Sequence, residues 1–224
     1  MISLVNEIPK INLPRAEVVK INCNYNSYKD VALFWTQNEC DAIISMLDGN
    51  MVIYNLNADI QELYEFIGVI SPSSVFSDAK TLEDLFGNDF HRVYVVKSEH
   101  QFKSDLLSDN LNSKEVYQLL DVNGLQLPPY EYFAVDFCHR LNHGQLNYFA
   151  LKNSCAAIII SDEQTTLLNG IASHKKGMGT VALEGVLSQG KAPYLAVCEK
   201  EVAPFYLKNK FKHAYDAGYW RKNP

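Results

Sequence analysis

The strongest pattern along the chain is a pair of matching stretches, FWTQNECDAII (Phe34 to Ile44) and FALKNSCAAII (Phe149 to Ile159). Each is an apolar run, a polar break centred on Asn, and a second apolar run, the pattern of two strands joined by a tight turn. A third apolar run follows in both places, NMVIYNL at 50–56 and TTLLNGIAS at 165–173, so a three-strand meander is predicted twice. Set side by side without gaps, the two stretches share Phe34/Phe149, Asn38/Asn153, Cys40/Cys155, Ala42/Ala157, Ile43/Ile158 and Ile44/Ile159, the mark of an internal repeat.

The likeness continues in the order of elements. After the first meander come a helical pattern in ADIQELYEFIGVI, a strand in SSVFS, a helix in TLEDLFG and a strand in HRVYVVKSE. After the second come KGMGTVALEGVL, PYLAV, EVAPFYLKNK and FKHAYDAGYW in the same roles. Two more helices precede the second meander: NSKEVYQLLDVNG, capped at Asn112 or Ser113, and PPYEYFAVDFCHRLNHG, with Phe133, Phe137 and Leu141 at i, i+4, i+8 before Gly144. The expected class is α/β, more closely an α+β mixed sheet, in two related halves at 1–105 and 106–224. The polar stretch HQFKSDLLSDNLNS joins them.

Composition adds exclusions. The 224 residues are 47% hydrophobic and 21% charged, ordinary values for a folded chain. Lysine and arginine total 20 against 26 acids, a net charge of -6, so no basic face for nucleic acid is implied. No apolar run approaches the ~20 residues of a membrane span, and the opening residues lack the basic and apolar regions of a signal peptide. The expectation is a cytoplasmic protein with neither nucleic acid nor membrane as partner. Five cysteines are scattered singly without Cys-x-x-Cys, a usage that speaks against a disulfide framework or a thiolate zinc site.

The chemistry concentrates in IASHKKGMGTVALEGVL (Ile171 to Leu187). Met178, Val181, Ala182, Gly185 and Val186 recur at helical spacing, so a helix is predicted to start near Lys176 or Gly177. A helix mouth carries unpaired N–H groups and partial positive charge, which disfavours lysines by ~0.3–1 kcal/mol each. An anion on those N–H groups reverses that sign, and glycines let a phosphate reach the backbone. The alternative is that Lys175 and Lys176 are solvated and the glycines serve packing. The stretch is not a P-loop, and Ala182 stands where Gly-x-Gly-x-x-Gly needs its third glycine. The corresponding NLNADIQELYEFIG of the first half has no Gly-x-Gly and has acids at the helix mouth. CHRLNH places His139 and His143 four apart with Asp136 one turn earlier, a spacing that can hold zinc. With no third ligand in the pattern, a helix-end histidine pair is the favoured meaning, and no metal is expected.

The order of elements, HKKGMGTVAL and FYLKNKF together resemble the GCN5-related N-acetyltransferase (GNAT) family, whose signature is Arg/Gln-x-x-Gly-x-Gly/Ala at the central helix and a later Tyr-x-x-x-Gly-Phe. Gly177 and Gly179 match the glycines, and Tyr206 and Phe211 the aromatic pair. His174 replaces the Arg/Gln, Lys210 replaces the glycine before Phe211, and Cys198 and Glu199 stand where the family often has an asparagine. The resemblance covers about residues 112 to 224, with the first half a degenerate copy as in tandem members. It implies an acyl-CoA N-acyltransferase-like fold and acetyl-CoA in a gap between the fourth and fifth strands. His174, Lys175, Lys176, Gly177, Met178, Gly179 and Thr180 would cradle the pyrophosphate, and the backbone of Ile171, Ala172 and Ser173 would face the pantetheine and thioester. Tyr206 would serve as acid, with Glu163 and Glu199 as candidate bases. The implied reaction is direct acetyl transfer to the amine of a small molecule or protein, by a monomer or homodimer. The alternatives are an inactive acyl-CoA-binding protein or a phosphate-ligand-binding protein of the same fold.

Overall fold

The computed structural model describes residues 1–121, 125 and 127–222. The chain forms two compact units that interleave along the sequence: Met1–Val96 with Val197–Leu207 and Lys212 onward, and Lys97–Ala196 with Lys208–Phe211.

In the first unit, β1 (Ile2–Leu4), β2 (Leu33–Gln37), β3 (Ala42–Leu47) and β4 (Asn50–Asn55) pair antiparallel in succession. β5 (Ser74–Asp78) then lies parallel to β4, with Asn50↔Ser74 to Val52↔Phe76 in register. The last strand of the chain, β11 (Lys212–Arg221), pairs antiparallel with β5 from Ala217↔Asp78 to Arg221↔Ser74, and β6 (His91–Ser98) follows it in the sheet. Trp35, Ile44, Met51, Ile53 and Val75 form a core with Leu63 and Ile67 of α2 (Ile60–Ile70) and Leu82 and Leu85 of α3 (Ala79–Phe86). Alternation sends neighbouring side chains to the other face, where Phe34 meets Tyr25 of α1 (Ala16–Tyr28) edge-on at 5.4 Å. Neither β1 nor α1 was expected from the sequence pattern.

In the second unit, β7 (Leu146–Leu151), β8 (Cys155–Ser161) and β9 (Thr166–Ser173) form the second meander, and β10 (Tyr194–Cys198) lies parallel to β9. α4 (Ser113–Leu120) opens with a capping box between Asn112 and Glu115. The C-terminal end predicted for that helix, at 122–124, lies outside the described residues. Tyr117 packs on Phe133 at 5.1 Å, Phe133 on Phe137 at 5.4 Å and Phe137 on Tyr148 at 5.5 Å, so an aromatic row joins α4, α5 (Tyr130–Asn142) and β7. Leu141 is partly exposed instead of completing the α5 face, and Arg140 is the buried residue there. Phe149, next to Tyr148 on the opposite face of β7, packs under α6 (Met178–Leu187), where a Cβ on Gly185 would stand 2.5 Å from its ring. α7 (Ala203–Lys208) completes the elements.

The repeated order of elements is present, but the gapless alignment is not the structural register. Carried over unchanged, the pair Phe34↔Ser45 would become Phe149↔Ile160; the sheet pairs Phe149 with Ala157. The two turns are built differently: residues 38–41 lie between the paired Gln37 and Ala42, whereas 152–154 lie between Leu151 and Cys155. What the two turns share is the left-handed Asn, at φ 45° for Asn38 and 57° for Asn153, a conformation that asparagine tolerates better than most residues.

Candidate active site

The glycine stretch links two elements of the second unit. β9 pairs with β8 from Ser161↔Thr166 to Cys155↔Ser173, with an irregularity where Ile159 faces Leu168 and Ile158 faces Gly170. Asn169 is the extra residue, and such a bulge bends and twists its strand. Pairing between β9 and β10 covers Thr166–Leu168 with Tyr194–Ala196 and ends there. The edge of Ile171–Ser173 that would continue toward β10 is therefore outside that ladder.

Beyond β9 the His174 N–H donates to the Ser154 carbonyl at 2.7 Å, which fixes where the chain leaves the sheet. His174, Lys175 and Lys176 are exposed, and among the described residues no ion pair engages either lysine. Gly177 caps α6 at φ 85°, in the left-handed region. A Cβ built on it would meet nothing within 4 Å. No side chain caps the mouth of α6, and its first turn holds no acid. One N–H group of this mouth, that of Met178, donates to the Lys175 carbonyl at 3.1 Å; the remaining orphan N–H groups of a helix mouth are of the kind an anion can meet.

The equivalent mouth in the first half is already capped by the protein's own Asp59. Asp59 accepts from the Gln61 and Glu62 N–H groups at 3.0 and 3.2 Å. Glu62 accepts from the Ile2 N–H and from Gln37 Nε2, both at 2.7 Å, and these bonds hold its carboxyl below the ordinary range.

The structure brings some of the sequence candidates together and leaves others apart. Ile171 through Thr180 are contiguous, as the end of β9, the turn at 174–177 and the first residues of α6. Glu163 sits in the turn at the opposite end of β9, and with about 3.3 Å of rise per residue the full length of that strand keeps it from the glycine turn. Tyr206 and Glu199 fall in the first compact unit, while Glu163 and Ile171–Thr180 fall in the second. Tyr206 is buried, and its phenol is pushed up first by desolvation and then by the neighbouring Cys198. The Cys198 thiol is itself pushed up to about 11 by burial and by the charge of Glu199. Both groups hold their protons at neutral pH. Glu199 lies 2.8 Å from His91 Nε2, with both side chains about half exposed. Asp136 is engaged by Arg140 Nε at 2.8 Å, and the His143 ring lies 2.8 Å from the His139 carbonyl. Among the described residues no group of His, Cys, Asp and Glu is placed to hold a metal ion, and no helix is long and apolar enough to cross a membrane.

The bulge at Asn169 and the buried thiol beside Tyr206 were not read from the sequence. A lone Asn in an apolar run and a lone Cys carry no spacing signal.

No family model matches the sequence, and no curated protein matches it. Solved structures match the fold. A tandem GNAT protein from the clavulanic acid biosynthesis pathway superposes with a TM-score of 0.54 at 10% identity, over 94% of this chain and 90% of that one. A functionally unknown conserved protein from Staphylococcus epidermidis gives 0.53 at 10% identity over 82% and 91%. A Drosophila protein gives 0.55 at 10% identity over 85% and 79%. The chain thus has a mixed α/β, acyl-CoA N-acyltransferase-like fold. The solved tandem GNAT protein shares that fold over most of both chains.

Proposed function

We propose that the chain is an acetyl-CoA-dependent N-acetyltransferase with one working acetyl-CoA site, in its second half (residues 106–224), and a first half (1–105) that serves as scaffold. The observation that carries this is the contrast between the two helix mouths. The α2 mouth is filled by Asp59, whereas the α6 mouth is uncapped, free of acids and opened by a left-handed glycine with no protein atom where its Cβ would be. A pyrophosphate fits such a mouth, because backbone N–H groups and the helix dipole both favour it. His174–Thr180 would hold it, with Lys175 and Lys176 screening its charge.

Acetyl-CoA supplies an activated acyl group. A backbone N–H group of Ile171–Ser173 would polarise the acetyl carbonyl as its oxygen gains charge. Glu199, coupled to His91, is the candidate for the proton that the attacking amine loses. Tyr206, protonated at neutral pH, is the candidate acid for the departing sulfur. Glu163 is left without a role. The acceptor is an amine on a small molecule or protein, and the working assembly is a monomer or homodimer in the cytoplasm. His174 in the place of the Arg/Gln favours a second reading, a CoA-binding protein without transfer.

Calorimetry with acetyl-CoA, CoA and ATP tests the binding that both readings require, and an acetyl-transfer assay with amine acceptors separates them. Acetyl-CoA is expected to bind, and no binding at high micromolar concentration ends both. Gly179→Asp is expected to abolish binding. Tyr206→Phe is expected to leave binding intact and slow acetyl transfer by about 100-fold; unchanged turnover removes Tyr206 from the mechanism.

A further inference from the structure

The first unit contains a charged cluster that the proposed reaction does not use. Glu17, in the first turn of α1, is 0% exposed. Its Oε2 accepts from the Tyr215 hydroxyl of β11 at 2.7 Å and lies 3.5 Å from Arg15 Nε. Its Oε1 is buried with no hydrogen-bond partner. The Tyr215 hydroxyl in turn accepts from the Ala16 N–H at 2.8 Å. Arg15 stacks on the Tyr215 ring at 4.3 Å and reaches Asp78 of β5 at 3.7 Å. Asp78 is committed to Thr81, accepting from its N–H at 3.0 Å and its hydroxyl at 2.7 Å. Tyr54 of β4 and Tyr219 of β11 are the other titratable groups that feel this charge.

One guanidinium therefore stands between two carboxylates, and the more buried of these has a bare oxygen. With Glu17 neutral, Arg15 and Asp78 balance. With Glu17 ionised, two carboxylates share the one guanidinium and the cluster carries a net negative charge, and a buried charge compensated only in part is costly. We propose that Arg15, Glu17, Asp78 and Tyr215 form a proton-operated latch, closed while Glu17 is neutral and opened by its ionisation, which ties the first turn of α1 to β11. Burial is the largest influence on Glu17 and pushes its carboxyl above the ordinary range. The folded chain then binds that proton more tightly than the unfolded chain does. The stability it lends is complete below the ordinary carboxylate range and is lost as pH rises through the folded value.

The test is hydrogen exchange at the Ala16 amide, read as protection relative to the intrinsic rate across pH 5 to 9. Protection in the native chain is expected to fall by up to about tenfold per pH unit above the ordinary carboxylate range and to level off once Glu17 is ionised in the folded chain. Glu17→Gln keeps an acceptor for Tyr215 and no charge, so its protection is expected to stay level; the same fall in that variant overturns the latch. Tyr215→Phe removes the short bond that favours the ionised carboxylate and so raises the folded value, and the fall is expected to run on to higher pH before it levels off. A fall that levels off at an unchanged pH overturns the proposal, and this reading stands on its own if Glu17→Gln does not fold.

Discussion

Lys210 stands at φ 70°, in the backbone region that glycine adopts freely, at the position where the resemblance called for glycine. Its carbonyl accepts from the Ser98 hydroxyl at 2.8 Å, so the turn has kept its shape although the residue has changed. A lysine held there is strained by ~1–2 kcal/mol, partly offset by the entropy that glycine would cost. Lys210→Gly is expected to raise stability by about 0.5–1 kcal/mol, measured as a shift in the denaturant midpoint at constant slope. Gly177 is different, since its φ of 85° alone calls for glycine. Its presence follows from the geometry of the turn as well as from any ligand, and the uncapped N–H groups beyond it carry the functional argument.

Elements were legible where periodicity was clean and illegible where burial was one-sided in an unusual way. The meander strands, α2, α3, α5 and α6 follow runs of apolar residues at periods of two or about three and a half. α1 does not, because AEVVKINCNYNSY buries Glu17, Asn24 and Ser27 along with its aliphatic residues, and Asn24 Nδ2 bonds Ser45 Oγ at 3.3 Å. A polar residue inside the core erases the stripe that announces a helix. β1 is three residues long, too short for any alternation to register. At this scale Gly185→Ala is a sharp probe, since its methyl would stand 2.5 Å from the Phe149 ring. The strain is expected to cost about 1–3 kcal/mol, read from thermal or denaturant unfolding. A stability unchanged by the substitution would mean that α6 packs on β7 less closely than described.

For the whole molecule the two helix mouths set the stoichiometry. With Asp59 already bonded to the Gln61 and Glu62 N–H groups, the proposed function predicts one acetyl-CoA per chain in calorimetry, and two would sink the assignment of the first half as scaffold. The candidate site was legible as a stretch, because glycines and lysines at a strand-to-helix junction are a local pattern. Its electrostatic setting was not, because the empty mouth of α6 gains meaning only beside the filled mouth of α2.

The sequence by itself determined the element types, the doubled order of meander, helix, strand, helix and strand, and the place of the glycine turn, since all of these rest on local periodicity and turn chemistry. Tertiary structure decided what depends on partners distant in the chain. It chose the strand registers, which six identities misplaced by three residues at Phe149↔Ala157. It placed β11, the last strand, beside β5 of the first unit, and brought Tyr215 within 2.7 Å of Glu17 from 198 residues away. Periodicity reports which face of an element is buried and is silent about what covers it, so partners of this kind are fixed only when the whole chain has folded.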